Sequence, residues 1–285
     1  MTLFQLIVGL LLLFLWVGRP LLYKIVAKYF SARQSTGFTA FWLVFGLIVT
    51  TPFLGNLLIF NNQNSLLSPY ILISIYKGVS LFYFVTLQQV INKRSMSSSV
   101  FLSFIALALG GLVNNLFFSE NLGVIKVLCI SGFGILGILF LRKGDAKRLS
   151  HTDIIFFFIA TMIMASYTVS DHIAIPQVGW YAHLFVSSVV MAGMCLLHPV
   201  SRDAFKIAIT DRWAIYAGIF YALSEFLLIY VSINILPVSI VAVFLRLSVP
   251  VVMIISAIKY KEQNVKNQLV FGICAILLAL PIIMK

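Results

Sequence analysis

Apolar runs long enough to cross a lipid bilayer recur along the whole 285-residue chain, and no other feature constrains its fold so strongly. They fall at about residues 3–28, 37–60, 69–91, 98–118, 122–141, 154–174, 178–197, 213–233, 237–258 and 267–284. A hydrocarbon core of about 30 Å takes about 20 residues of helix to cross. Lipid offers the backbone no hydrogen-bond partner, so a spanning segment is either a helix or a strand of a closed barrel. These runs are continuously apolar and lack the alternation of a barrel strand. The sequence therefore predicts an all-α integral membrane protein of ten transmembrane helices, with no soluble domain to carry catalysis. Composition agrees: 61% of residues are hydrophobic and 10% charged, with a mean hydropathy of +1.07, far from soluble-domain values.

The net charge is +12, and its placement is informative. Lys and Arg gather after the odd-numbered runs, at Lys28 and Arg33, Lys93 and Arg94, 142–148, 202–212 and 259–266. Loops after even-numbered runs, such as NNQNSLLSP at 61–69, are nearly free of them. By the positive-inside rule the basic loops are cytoplasmic and both termini lie outside. The partner of this charge is then the anionic inner face of the plasma (inner) membrane rather than nucleic acid. The first run, MTLFQLIVGLLLLFLWVG, has neither a basic leader nor a small-residue cleavage site, and is expected to be a retained span. Cys129, Cys195 and Cys274 are dispersed without metal-ligand spacing, so no metal and no cofactor are expected.

The longest polar interval in the middle, RKGDAKRLSHTD at 142–153, divides the chain into residues 1–145 and 146–285, five runs each. Residues 92–122 align weakly with 234–265, setting Ser97 against Ser239 and Glu120 against Glu262. Five is odd, so two such halves would cross the membrane in opposite senses, the inverted-repeat plan of secondary carriers.

Ionisable residues deep in spans are the positions most open to a functional reading, because such charges survive only by facing the bundle interior or water. Arg246 interrupts VSIVAVFLRLSVPVVMIISA at 238–257; Glu225 lies mid-way in the preceding run; Lys77 and Arg19 lie in the third and first. The runs around Glu225 and Arg246 are joined by a few residues and are antiparallel neighbours, which predicts a Glu225–Arg246 ion pair. That pair either pins two helices together or lines a cavity where the guanidinium holds a substrate anion and Glu225 exchanges a proton. Lys77 and Arg19 either face the same cavity or snorkel to an interface. Three deep cations against one acid favour an anionic or zwitterionic substrate. Asp171 and His172 in SYTVSDHIAIPQ, with His183 beyond, read as an exposed helix end or a proton-exchanging gate. Trp16, Tyr76, Tyr83, Tyr167 and Tyr221 recur on cavity-facing runs and offer rings to an apolar substrate part. Gly110, Gly111, Gly132, Gly134 and Gly137 suit close helix packing rather than phosphate binding.

Four stretches carry a family likeness: LWVGRPLLYK at 15–24, SLFYFVTLQQVINKRSMSSSVFLS at 80–103, YALSEFLLIYVSINILPVSIVAVFLRLSVPVV at 221–252 and KYKEQ at 259–263. In these the chain resembles the drug/metabolite transporter superfamily, in particular its ten-helix EamA-like branch. Two departures stand out. Ala108 occupies the first-half position equivalent to Pro250, and family members generally keep their termini inside, the reverse of what the loop charges give here. The resemblance implies two inverted five-helix bundles around a central cavity lined by runs 1, 3, 4, 6, 8 and 9.

The expected function is a secondary active transporter, importer or exporter, of a small anionic or zwitterionic metabolite such as an amino acid, working by alternating access. The expected substrate-binding residues are Arg246, Glu225, Lys77, Tyr83, Tyr221, Trp16 and Tyr167; the expected proton-coupling residues are Glu225 and Asp171. Coupling would be to a proton or a counter-substrate, in a monomer or homodimer. Two other classes stand beside this: a flippase for a lipid or lipid-linked headgroup, and a membrane-bound enzyme built on Asp171, His172 and His183. No ATP-binding fingerprint is present, so transport would run on a gradient.

Overall fold

The computed structural model describes residues 3–55, 69–96, 98–100, 105, 109, 123–143, 150–236, 238–261 and 265–283. Within its helices the side chains of Tyr167 and Arg246 lie outside what is described. Most of the run at 98–118, including Gly110 and Gly111, together with Glu120 and most of the 61–69 loop, also lies outside the described residues. Among the described residues the chain is all-helical, as α1 (Leu3–Val26), α2 (Ala32–Leu54), α3 (Pro69–Arg94), α4 (Val124–Lys143), α5 (His151–Val178), α6 (Trp180–Leu197), α7 (Pro199–Thr210), α8 (Arg212–Asn234), α9 (Val238–Tyr260) and α10 (Val265–Ile283). Six of these, α1, α2, α3, α5, α6 and the Arg212–Val231 part of α8, are long and apolar enough to cross a membrane. Shorter apolar stretches lie in α4, Val127–Phe140, and α9, Leu247–Tyr260.

Polar residues at the run boundaries fix the helix ends. Ser31 caps α2, its hydroxyl accepting from the Gln34 N–H while the Gln34 side chain accepts from the Ser31 N–H. Ser150 and Asp153 form the same reciprocal cap at α5, and Asp211 accepts the Trp213 and Ala214 N–H groups at the start of α8. Gly179, at a φ of 84°, makes the turn that folds α6 back along α5. Pro176 sits in the last turn of α5 without ending it, so the helix continues past the boundary at 174 expected from hydropathy. The other difference is α7: the interval 202–212, expected to be a cytoplasmic loop, is a helix packed along α2. Its Ala204 and Ala208 are buried while Arg202, Asp203 and Lys206 are exposed, and the Ala208 carbonyl accepts from Trp42 Nε1 at 2.9 Å.

α3 lies against α5 and α6; α8 lies against α1 and α2; α2 and α6 also touch. These six helices share the largest core, which includes Phe38, Phe84, Phe157, Tyr181 and Tyr221. α4, α9 and α10 share a second core around Phe133, Phe140, Val252 and Met253. Exposed apolar side chains such as Phe14, Phe53, Leu128, Met162 and Leu277 form the outer surface, which is expected where the solvent is lipid.

Two glycines allow close approaches between helices of the largest core. A Cβ at Gly78 of α3 would stand 2.5 Å from the Ser187 carbonyl oxygen of α6, and one at Gly218 of α8 would stand 2.3 Å from Trp42 Cδ1 of α2. The first obstacle is backbone and cannot rotate away. Gly78→Ala is therefore expected to destabilise the protein by about 1–3 kcal/mol, whereas Gly134→Ala, where nothing lies within 4 Å, is expected to be neutral or stabilising by up to about 1 kcal/mol. Thermal melting of both variants in one detergent checks the contrast. At the α3–α5 junction, Asp153 is 1% exposed and its Oδ2 accepts from Arg94 Nη1, the Ser150 N–H and the Ser150 hydroxyl, each at 2.7 Å. Asp153→Ala removes both the cap and the tie to α3 and is expected to cost about 1–2 kcal/mol in the same measurement.

Candidate functional site

Two buried ionic clusters stand out among the described residues. The first joins α1 to α8. The buried stripe of α1, which includes Val8, Leu12, Leu15, Arg19, Tyr23 and Val26, carries Arg19 into the bundle. Its Nη1 donates to Glu225 Oε1 at 2.7 Å, with side-chain exposures of 6% and 19%. The guanidinium carbon lies 3.8 Å from the centroid of the Tyr221 ring and 5.1 Å from that of Trp16. Tyr221 is one turn before Glu225, and Trp16 one turn before Arg19, so helical spacing delivers all four to one place. Desolvated, such stacking on a guanidinium is worth about 2 kcal/mol. Tyr23, one turn beyond Arg19, meets the Tyr221 ring edge-on at 6.3 Å and hydrogen-bonds Thr39 of α2, whose Oγ1 donates to the Ser35 carbonyl. The buried Trp16 Nε1 has no acceptor among the described residues, although a buried indole N–H normally finds one.

The second cluster joins α3, α5 and α6. Lys77 Nζ lies 2.6 Å from Asp171 Oδ1, and His183 Nε2 lies 2.8 Å from the same oxygen. His183 Nδ1 lies 2.7 Å from Ser74 Oγ, which also points at the Tyr70 carbonyl at 3.0 Å. Ser74 and Lys77 are one turn apart on α3; Asp171 and His183 meet because the Gly179 turn folds α6 back on α5. Lys77, Ser74 and His183 are buried, while the Asp171 side chain keeps 27% of its exposure.

Ser74, His183 and Asp171 have the connectivity of a Ser–His–Asp relay. Two features remove its nucleophilic chemistry. Ser74 is fully buried inside α3, where the backbone N–H groups that would stabilise an oxyanion belong to the helix ladder. Lys77 shares the Asp171 oxygen that would orient the imidazole. What remains is an ionic network able to hold and move a proton.

The residues expected from sequence divide accordingly. Trp16, Tyr221 and Glu225 come together, and Lys77 and Asp171 come together elsewhere. Tyr83 is 49% exposed and packs its ring on Phe82, and Tyr76 is exposed, donating to Ser166 Oγ at 2.8 Å; neither joins a cluster. Tyr167 and Arg246 lie outside the described side chains. The described partner of Glu225 is Arg19 rather than the expected Arg246. The helix-end reading of Asp171 and His172 is also changed: α5 runs on to Val178, and of Asp171, His172 and His183 only His172 is exposed. Missed altogether were the partner role of Arg19 and the place of Ser74. The available signals were the spacing of Trp16, Arg19 and Tyr23, which puts rings on the face of the cation, and that of Ser74 and Lys77.

No curated protein gives a match to this chain. Residues 151–284 match the EamA-like transporter family, and the matched region contributes Asp171, His183, Tyr221 and Glu225. Charged groups buried in pairs within a polytopic helical membrane protein fit a solute pathway, and the match over the second half of the chain supports membership of the drug/metabolite transporter superfamily.

Proposed function

We propose that the protein is a secondary carrier in the plasma (inner) membrane, moving a small zwitterionic or anionic metabolite, an amino acid above all, by alternating access between two inverted five-helix units, residues 1–145 and 146–285. The observation that carries the reading is the Arg19–Glu225 pair under the Tyr221 ring. A cation and an anion 2.7 Å apart are complementary to the carboxylate and ammonium of an α-amino acid. Substrate entering between them replaces one ion pair by two, with the guanidinium fork on the carboxylate and Glu225 on the ammonium. Trp16 and Tyr221 then flank the side chain, and the Trp16 N–H, lacking an acceptor among the described residues, is available to a carboxylate oxygen. Arg246, in the next helix, is proposed as a second anion-holding group.

Support for two related units comes from the packing. Exchanging α1 with α5, α2 with α6, and α3 with α8 turns the contacts of α3 on α5 and α6 into those of α8 on α1 and α2. The same exchange carries Gly78 against α6 onto Gly218 against α2. It also carries the Lys77–Asp171 interface onto the Glu225–Arg19 interface with charges reversed. Arg19 and Asp171 stand equally far from the C-terminal ends of α1 and α5, so in inverted units the clusters occupy opposite halves of the membrane. Each half then has a polar closure that one unit can open as it rocks against the other.

The experiment is exchange of a mixture of radiolabelled amino acids in proteoliposomes. Wild-type protein is expected to exchange a subset of them. Single substitutions confound binding with folding, because orphaning one buried charge costs about 3–5 kcal/mol. The double variant Arg19→Met/Glu225→Leu avoids this, since an apolar replacement of both partners is neutral or stabilising. It is expected to melt at or above the wild-type temperature while exchange falls by about tenfold to hundredfold. Normal exchange by a well-folded double variant would show that the pair only pins α1 to α8. Movement of labelled lipid instead of amino acids would favour the flippase reading, and fluorophosphonate labelling of Ser74 would favour an enzyme.

A further inference from the structure

The cluster on α3, α5 and α6 has a property the substrate site lacks: its hydrogen bonds close in two protonation states that differ by one proton. With the His183 ring neutral, Nε2–H donates to Asp171 Oδ1 and Nδ1 accepts from the Ser74 hydroxyl. With the ring doubly protonated, Nε2–H still donates to Asp171, and Nδ1–H now donates to Ser74 Oγ. Ser74 then turns its own O–H to the Tyr70 carbonyl, which lies 3.0 Å away. A serine hydroxyl has one proton and two lone pairs, so both arrangements leave every group satisfied. One proton enters and ends on Nδ1, one hydroxyl rotates, and no other heavy-atom bond is made or broken.

We propose that His183 binds the proton that drives transport, with Ser74 as its switching partner and Asp171 as the member open to water; the inference rests on the carrier reading above. Among the described residues the groups facing the ring are few. From α3 come Lys77 and Ser74, and from α5 comes Asp171; its neighbour His172 is exposed. α2, which also packs on α6, carries a single charge, Arg33, at its far end. The nearest titratable group of α8 around the start of α6 is Tyr230, whose ring meets Trp180. Lys77 and Asp171 cancel, so the cluster is neutral with a neutral ring and carries +1 when the ring is protonated. A net charge sealed from water is costly. The protonated cluster therefore favours the conformation in which Asp171 opens to water, and the neutral cluster favours closure. Differential stability of this kind is what lets a bound proton shift a conformational equilibrium.

The chain has four histidines, which makes the proton directly observable. Full-length protein labelled with ¹⁵N-histidine, held in lipid nanodiscs, is followed by ring-nitrogen NMR from about pH 8 to about pH 5, and His183 is assigned by its loss in His183→Asn. The ring is expected to pass from one N–H to two. Ser74→Ala, which deprives Nδ1 of an acceptor, is expected to hold it at one over the same range. A wild-type ring that keeps one state throughout, or a Ser74→Ala ring that behaves as wild type, overturns the proposal. In proteoliposomes with the radiolabelled amino acid mixture, His183→Gln is expected to retain exchange at equal pH and lose accumulation driven by a pH gradient. Undiminished accumulation would also overturn it. Absence of any amino-acid exchange by wild-type protein would sink the carrier reading, while the ring titration would still decide the proton site.

Discussion

A charge in the interior of a membrane protein has no water to fall back on, and that constraint organises this molecule around the Arg19–Glu225 contact. The guanidinium is held on one side by the carboxylate and on the other by the Tyr221 and Trp16 rings. To bring them together, α1 and α8 must lie side by side, which they do where Gly18 leaves room for Phe220. Tyr23 extends the cluster to Thr39 of α2, and α2 receives α8 again where Gly218 faces Trp42. Removing one partner from this arrangement would leave an orphaned ion among three packed helices.

The second cluster meets the same constraint by different chemistry. Lys77 and Asp171 neutralise each other between α3 and α5, and His183 and Ser74 of neighbouring helices complete the hydrogen bonds. Strong buried pairs would lock a carrier in one state if they had no alternative partners. Each cluster has one. The first can exchange its internal bond for bonds to a zwitterion, and the second can gain a proton without losing a hydrogen bond. In the proposed carrier, solute and proton are coupled through groups that are never left unpaired.

How much of this was legible in the sequence follows from what each signal encodes. Apolar run length marked the spanning helices, because lipid admits little else. It also singled out Glu225 and Lys77 as charges inside spans. It did not say which way each side chain faces, so Arg19 read either as a cavity residue or as one snorkelling to an interface. Chain adjacency pointed to Arg246 as the partner of Glu225, and the Arg246 side chain lies outside the described residues; adjacency gave no sign of the Arg19 contact, which arises because α8 lies mainly along α1 and α2. The apolar run ended at 174, before the Gly179 turn, and so the meeting of Asp171 and His183 was not legible. The helix α7 escaped because its charges made it look like a loop.

The central claim is that one buried ion pair reads both ends of a zwitterion, and equilibrium binding tests it most directly. Titration calorimetry would compare the amino acid that exchanges best with its amide, which lacks the carboxylate for Arg19, and its N-acetyl derivative, which lacks the ammonium for Glu225. Loss of a charged hydrogen bond is worth about 1.5–3 kcal/mol, so each derivative should bind at least about tenfold more weakly. Equal affinity for all three would contradict the account, because it would mean that Arg19 and Glu225 stay paired with each other while the substrate binds elsewhere.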